Sequence, residues 1–505
     1  MKAADIKHIV APIQITGRLP EEAGPLFTDS RNVKPKSVFI AIEGTQSDGH
    51  DYIEEAVGRG AVLIIGERPA SSIDFEIDGF GYLQVSSTQK VCGPLAQAMM
   101  GYPARSLAMA GITGTNGKTT VATLVYQILT ELGVKAGLLG SAGKRFGSRQ
   151  EDSYLTTPDP IELAYDMAQM VEEGITHLVM EVSSHALEQQ RTEGIDFDIA
   201  AFTNLSHDHL DYHQTMMAYA KAKKKLFDDL EASSSAVINR DDSYTCFMVD
   251  ETKATLVPFS FEGRSSENKK IVPCTITSNT AEGLELSVDS TRLRSPVTGR
   301  FNAYNLAQAF LIVRQWGFDP EQIASTLSNI YGAPGRLERV IIDHPMDLPH
   351  IFVDYAHSPD ALEKVLDALL EVKTKDQNLH VIFGCGGDRD RKKRPLMGQI
   401  ATERADWVTV TSDNPRSEQP DAIIDDIFEG IDYSHRVQRI PDRQQAIIEA
   451  IKHADAHAII LIAGKGHETY QEVDGVRHHF DDREVAREGL QMRSNSRENL
   501  NHKTD

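Results

Sequence analysis

The sequence predicts an α/β protein of three domains, with a central P-loop doubly wound parallel sheet and a C-terminal Rossmann-like α/β domain. Three observations lead there. The length of 505 residues corresponds to about three domains at roughly 150 residues each. Short apolar runs of strand length recur, each passing into a Gly-rich or polar loop and often a helical pattern. One such loop, Gly114-Thr115-Asn116-Gly117-Lys118-Thr119-Thr120, has the form of a phosphate-binding turn.

The elements follow in order. The expected first domain, 1–103, holds strands at 37–42 and 61–65 around a helix at 51–58, and closes on Gly101-Tyr102-Pro103, residues that punctuate elements. The expected second, 104–335, opens with an apolar strand at 107–112. After the Gly/Thr turn, Val121, Leu124, Val125, Ile128, Leu129 and Leu132 recur at helical spacing, and Gly133 suits the helix end. Strands follow at 177–182 and 199–203. The expected third domain, 336–505, has strands at 351–354, 380–383, 407–411 and 459–463, and its polar end, 493–505, reads as irregular. In doubly wound sheets ligands lie at the carboxyl ends of strands, so function is expected in the loops that follow them.

Composition narrows the function classes. Hydrophobic residues are 40% and charged residues 25%, ordinary for a globular chain. A net charge of −22, from 52 Lys+Arg against 74 Asp+Glu, favours solubility and speaks against general binding to nucleic acid or anionic membrane. Cys92, Cys246, Cys274 and Cys385 form no CxxC pair, so neither a zinc cluster nor a disulfide framework is indicated, and a reducing compartment fits. Asp5, Lys7 and His8 stand where a signal peptide needs an apolar run, and apolar stretches such as 458–463 are too short to span a bilayer. The expectation is a cytoplasmic protein.

In the phosphate turn, small residues let backbone N–H groups close on phosphate oxygens at a helix N-terminus. Lys118 is placed to reach the outer phosphates and Thr119 to offer its hydroxyl to Mg²⁺. The usual first glycine is replaced by Ile112, with Gly111 and Gly114 supplying the flexibility. Glu181 ends the next strand, where a carboxylate can hold Mg²⁺ or simply face solvent. The run His207-Asp208-His209-Leu210-Asp211-Tyr212-His213 is dense in possible ligands, though such histidines also serve as caps. Arg389 to Arg394 could pass for a nucleic-acid patch, but Asp390 interrupts it and no aromatic interleaves.

The phosphate turn, Glu181-Val182-Ser183-Ser184-His185-Ala186-Leu187, Thr203-Asn204-Leu205-Ser206-His207-Asp208-His209, Gly299-Arg300-Phe301-Asn302-Ala303-Tyr304-Asn305 and Asp354-Tyr355-Ala356-His357-Ser358-Pro359 occur in that order. Together they resemble the Mur ligases, ATP-dependent amide-forming enzymes of peptidoglycan precursor synthesis. The resemblance runs from Asp29-Ser30-Arg31 to Asp481-Asp482-Arg483-Glu484. With Asp48-Gly49-His50, Gly384-Cys385-Gly386-Gly387-Asp388-Arg389-Asp390 and Asp413-Asn414-Pro415-Arg416, it points to the family branch that adds the third amino acid.

The resemblance implies that ATP phosphorylates the D-glutamyl γ-carboxylate of UDP-MurNAc-L-Ala-D-Glu, and that the amine of meso-diaminopimelate attacks the acyl phosphate. It implies ATP and Mg²⁺, a monomer, and no nucleic-acid or membrane partner. It places ATP on 114–120 with Asn302, Asn305, Arg336, Asp354 and His357. Arg336, after Pro334-Gly335, has the position of a clamp that swings in on closure. Thr119, Glu181, His209 and Lys223 are the implied metal ligands. Lys223 matches a carbamylated lysine (N6-carboxylysine), although Lys221, Lys224 and Lys225 around it also suit a plain basic helix face. Ser30, Thr45, Gln46 and Ser47 are implied near the uridine, and Thr156, Thr157, Ser183, Gln189 and Arg191 on the muramoyl peptide. Arg389, Asp413, Asn414, Pro415, Arg416, Gly464 and Glu468 are implied to take diaminopimelate. Its second carboxylate, which lysine lacks, suits the planar fork of Arg416.

Two other classes compete. A folylpolyglutamate synthetase shares the amide chemistry but not the N-terminal motifs. A P-loop switch or motor would turn over ATP without an amine acceptor.

Overall fold

The computed structural model describes residues 1–44, 47–73, 79–263, 271–343, 348–431 and 436–501, with side chains as far as Asn495. It falls into two compact units, Met1–Pro258 and Phe259–Asp505.

The first unit contains two sheets. The N-terminal one is ordered Gln14–Gly17, Gly81–Gln84, Ala61–Gly66, Ser37–Ile40 and Leu26–Phe27, parallel except for its first pair. Ser37–Ile40 is buried along its whole length, as expected of an apolar run covered on both faces. The helix Thr88–Met99 is capped by Ser87, whose hydroxyl accepts from Lys90 N.

The second sheet carries the phosphate turn. Strand Ala108–Thr113 lies between His177–Glu181 and Ile199–Phe202, parallel to both. Ala136–Gly140 flanks the former and Ser235–Asn239 the latter. The loops after these strands therefore emerge at one edge. Met109, Ile112, Val121, Leu124, Val125, Ile128 and Leu129 are all fully buried. Each such aliphatic contributes about 1.5–3 kcal/mol relative to exposure, so the turn springs from a stiff base. Helix Lys118–Glu131 ends as Gly133 predicted, with φ 77° there. Gly133 N bonds Thr130 O and Val134 N bonds Leu129 O.

In the second unit, strands Val272–Thr280, Gly283–Val288 and Thr291–Ser295 form an antiparallel meander. It has no counterpart among the expected strands, because one-sided burial leaves polar residues at alternate positions; Thr291–Ser295 alternates strictly between buried and exposed. Beyond it, His350–Asp354, Ile459–Ala463, Leu379–Phe383, Trp407–Val410 and Arg436–Arg439 lie side by side and parallel, with Glu338–Val340 antiparallel at the edge. One expectation is corrected here. Residues 493–501 are not irregular but continue helix Asp482–Asn501, and Arg493 and Ser494 within it are buried, with Arg493 donating to the Ile451 carbonyl. Residues 502–505 lie outside the described residues. Among the described residues, no helix is long and apolar enough to cross a membrane.

Candidate active site

The first unit holds the phosphate turn. Gly114 has φ 146°, and a Cβ there would lie 1.9 Å from Thr203 Oγ1, so only glycine fits. Gly117, φ 88°, turns the chain into the helix. Thr115 N donates to Asn204 O at 2.8 Å, Asn116 N donates to Asn204 Oδ1 at 3.1 Å, and Thr203 Oγ1 donates to Asn116 O at 2.6 Å. The turn is thus preformed. Lys118 Nζ folds back onto Gly114 O at 3.0 Å and Thr115 O at 2.8 Å. Thr120 is buried in the first helical turn.

A cluster of hard oxygen donors stands beside it. Thr119 Oγ1 donates to Glu181 Oε2 at 3.0 Å, while Ser141 N and Oγ donate to Glu181 Oε1 at 2.8 and 3.0 Å. Thr119 and Ser141 hydroxyls lie 2.8 Å apart. Two hydroxyls and a carboxylate with 1% exposure match the preference of Mg²⁺ for oxygen ligands. Ser141 was missed from sequence, although it follows strand Ala136–Gly140 and stands at a strand end where function was expected.

Lys223 lies under the same turn. Its Nζ donates to Gly114 O at 2.7 Å and stands 4.6 Å from the centre of the Tyr219 ring. Burial, reinforced by nearby Lys118, holds its pKa well below the usual lysine value, which favours the neutral amine. Tyr219 is pushed up to about 12 by burial and shares a 3.2 Å hydrogen bond with Thr115 Oγ1. The adjacent lysines have other fates. Lys224 is held by Asp228 at 2.6 Å, Asp250 at 2.9 Å and Glu251 at 3.0 Å. Burial alone would lower its pKa, but the three carboxylates override that and raise it. Lys225 pairs with Glu188 at 3.3 Å.

His209 sits at φ 52°, with its ring 6.0 Å from Tyr219 and 5.0 Å from His185. Thr157, Ser183, Gln189 and Arg191 are knitted to the same edge. Thr157 Oγ1 donates to Glu181 O at 2.8 Å and accepts from Ser183 N at 3.0 Å. Arg191 donates to Thr157 O at 2.8 Å and to Gln189 Oε1 at 2.6 Å. Thr156 is half-buried next to them. Ser30 stands apart, its hydroxyl donating to Glu55 at 2.7 Å, and Ser47 is exposed. Thr45 and Gln46 lie outside the described residues. His50 is a structural group: Nδ1 bonds Asp48 at 2.6 Å and Nε2 accepts from Glu67 N at 2.9 Å.

In the second unit, Asn302 donates to Thr298 O at 2.7 Å and accepts from Asn305 at 3.0 Å, fixing the first turn of helix Arg300–Gln315. The Arg336 guanidinium packs over Tyr355 at 4.9 Å. Asp354 accepts from Leu337 N at 2.6 Å and Ala356 N at 2.8 Å. His357 is exposed, with Nδ1 2.9 Å from Tyr355 O.

Two loops of that unit converge. Asn414 donates to Glu468 Oε2 at 2.9 Å, and the fully buried Lys465 donates to Asn414 Oδ1 at 2.9 Å. Lys465 Nζ is 3.4 Å from Glu468 and 3.8 Å from Asp413. A Cβ on Gly464, φ 119°, would lie 2.5 Å from Asp413 Oδ2. Arg416, φ 52°, donates through Nη1 to Gly387 O at 2.8 Å, and its backbone bonds Glu472 O and accepts from Asp474 N. Pro415 O faces Gly387 so closely that a Cβ there would stand 1.9 Å away. Arg389 is exposed beside this cluster, with Nη1 3.4 Å from Asp388 O. Lys465 was missed from sequence because a lysine between two glycines has no pattern of its own.

The chain as a whole is similar to known proteins. Residues 26–98 match the Mur ligase family catalytic domain, 112–313 the Mur ligase middle domain, and 335–466 the Mur ligase glutamate ligase domain. The chain is 42% identical over 463 residues to UDP-N-acetylmuramoyl-L-alanyl-D-glutamate–2,6-diaminopimelate ligase of Parabacteroides distasonis, covering 91% of this chain and 93% of the relative. It is 40% identical to the Bacillus cereus protein of that name, covering 94% and 96%. A solved structure of a ligase of that name superposes with a TM-score of 0.72 at 34% identity, over 96% of this chain and 98% of the other.

Proposed function

The chain belongs to the Mur ligase family, and on that premise we propose that it joins meso-diaminopimelate to the D-glutamyl γ-carboxylate of UDP-MurNAc-L-Ala-D-Glu. The reaction is an ATP-dependent amide ligation of peptidoglycan precursor synthesis, running through an acyl phosphate. The observation that carries the reading is the nearly full-length similarity, at 42% identity, to a relative named for that reaction. The working division is 1–103 for the nucleotide sugar, 104–335 for ATP and 336–505 for the amino acid. The enzyme acts as a cytoplasmic monomer.

Phosphoryl transfer between two anions depends mainly on positioning and on charge neutralised in place. The N–H groups of 114–120 cradle the outer phosphates, and Lys118 leaves its backbone carbonyls for them. Thr119 and Glu181, with Ser141 at hand, would hold one Mg²⁺, which supplies positive charge to the phosphate oxygens. His209 and Lys223 would serve a second. As an ammonium, Lys223 would repel a cation. As a neutral amine it reacts with CO₂: the N–C bond forms, a proton leaves the nitrogen, and a carbamate oxygen becomes available as ligand. The low basicity of buried Lys223 favours that reaction. Thr157, Ser183, Gln189 and Arg191 orient the dipeptide carboxylate, and Ser30 with Thr45, Gln46 and Ser47 takes the uridine end.

In the second unit, Asn302, Asn305, Arg336, Asp354 and His357 serve the nucleotide. Arg416 takes the distal carboxylate of diaminopimelate, while Glu468, beside Asp413, takes the ammonium group that does not react, leaving the other amine neutral to attack the acyl phosphate. Arg389, Asn414, Pro415 and Gly464 shape the rest. Lysine, without a second carboxylate, would forgo this partner of the half-buried Arg416 fork, and a site built to hydrogen-bond a substrate group discriminates against an analogue lacking it.

The test is phosphate release with ATP and UDP-MurNAc-L-Ala-D-Glu, adding meso-diaminopimelate, L-lysine or no amino acid. Turnover dependent on diaminopimelate is expected. Preference for lysine, or turnover without any acceptor, defeats the reading.

A further inference from the structure

Arg443 begins helix Arg443–His453, and Asp482 begins helix Asp482–Asn501. Both side chains have 0% exposure. Arg443 donates to both carboxylate oxygens of Asp482, Nε to Oδ1 and Nη2 to Oδ2, each at 2.7 Å. The guanidinium has two further bonds. Nη2 donates to Ala463 O at 3.0 Å, and Nη1 reaches Ser412 O at 3.3 Å. Ser412 immediately precedes Asp413-Asn414-Pro415-Arg416, and Ala463 immediately precedes Gly464-Lys465.

Ala463 ends strand Ile459–Ala463 and Ser412 lies two residues past strand Trp407–Val410, and these strands are not neighbours. Strand Leu379–Phe383 lies between Trp407–Val410 and Ile459–Ala463. The two loops are joined directly through Asn414 with Glu468 and Lys465, and through Arg416 N with Glu472 O, while the sheet's own hydrogen bonds do not tie their bases to each other. A planar fork with five N–H donors can do so from below, provided its charge is neutralised out of water. Asp482 supplies that neutralisation.

We propose that Arg443, held by Asp482, is a positioning residue for the amino-acid substrate. Beneath the direct bonds between them, it fixes the separation of the bases of the Arg416 loop and the Glu468 loop, and so bears on the length of diamino acid accepted. The inference rests on the diaminopimelate reading above and extends it to two residues that touch no substrate. Lysine at 443 has a single donor head and cannot hold Asp482 and both carbonyls with a fork's geometry. Asparagine at 482 keeps the shape and loses the charge. A buried ion pair broken on one side leaves an uncompensated charge, whereas an apolar pair of similar volume is often tolerated.

Three variants test this: Arg443→Lys, Asp482→Asn, and the double variant Arg443→Met with Asp482→Leu. KM for meso-diaminopimelate, for UDP-MurNAc-L-Ala-D-Glu and for ATP is measured for each, with kcat, the preference over L-lysine and the thermal midpoint. The expected result is a diaminopimelate KM raised about tenfold or more, a smaller preference over lysine, and the other two KM values within about twofold of wild type; a tenfold change corresponds to about 1.4 kcal/mol. If a single variant fails to fold, the double variant decides, since it leaves no charge unpaired. Folded variants with an unchanged diaminopimelate KM and only a lower thermal midpoint overturn the proposal. The wild-type acceptor panel stands apart from this: should another amino acid prove the substrate, the same KM comparison is made with it.

Discussion

Lys223 Nζ and Gly114 O lie 2.7 Å apart, although the residues are 109 positions apart in the chain. The carbonyl that Lys223 reaches also accepts from Lys118. Two lysine amines thus converge on one oxygen at the mouth of the phosphate turn, and they cannot comfortably both be charged.

The first prediction concerns Lys223. As the free amine, Lys223 has its pKa held by burial well below the value of about 10.4 it has in the unfolded chain, which costs stability wherever the unfolded chain holds the proton more tightly. The unfolded state binds the extra proton, so stability rises as pH climbs toward that value. Lys223→Met should flatten this rise and stabilise the protein by about 0.5–2 kcal/mol, while activity falls by about 10²–10³-fold. Denaturant titrations from pH 6 to 10 and steady-state kinetics check both. Short carboxylic acids should restore part of the activity of Lys223→Ala; full activity in that variant without them would remove the carbamate from the mechanism.

The oxygen cluster around Glu181 gives the second. Glu181→Gln keeps the size and removes the charge, and should lower kcat by about 10²–10³-fold and raise the Mg²⁺ concentration needed for half-maximal rate. Thr119→Ser keeps the hydroxyl and should stay close to wild type, whereas Thr119→Val should resemble Glu181→Gln. Magnesium titrations of the rate separate these. Identical Mg²⁺ dependence in all three variants would assign the cluster a structural role only.

Arg416 carries the third. Its guanidinium contacts Gly387 O and stands 3.9 Å from Glu472. Arg416→Ala should cost about 1.5–3 kcal/mol in kcat/KM for diaminopimelate, the range for a hydrogen bond to a charged group, and much less for lysine. ATP binding, followed by calorimetry, should change little. Equal losses for both amino acids would count against a carboxylate-binding role.

Acid stability gives the fourth. Arg394 donates to Glu418 at 2.7 and 3.0 Å, and those bonds hold the carboxyl at about 2. In the unfolded chain a glutamate titrates near about 4.3. The contribution is complete above that value and drains away as pH falls toward 2. Glu418→Gln should therefore be less stable than wild type at pH 6, with the gap narrowing through pH 4 to 2. Thermal midpoints over that span provide the check, and a gap independent of pH would mean that charge plays no part.

The regular elements that carry the loops were largely legible in the sequence. Strand 107–112, the turn 114–120 and the helix after it are a local pattern, and the structure has strand Ala108–Thr113 and helix Lys118–Glu131 there. The meander from Val272 to Ser295 was not legible, since its one-sided burial leaves polar residues at alternate positions. Ser141 and Lys465 escaped for a different reason. A lone serine or lysine acquires meaning only from groups brought to it by folding, here Glu181 for one and Asn414 for the other.

By itself the sequence determined the α/β class, the phosphate turn and the family, because these are written in short ordered motifs and in the period of apolar residues. Only the tertiary structure decided which of three consecutive lysines is stripped of water. Lys223 meets a backbone carbonyl and an aromatic ring, Lys224 meets three carboxylates, and Lys225 stays near solvent with one. A side chain's charge is encoded at its own position, but its solvation is set by whatever folding packs against it. The same holds for Arg443 and Asp482, which are ordinary surface types in sequence and a buried fork beneath two loops in the fold.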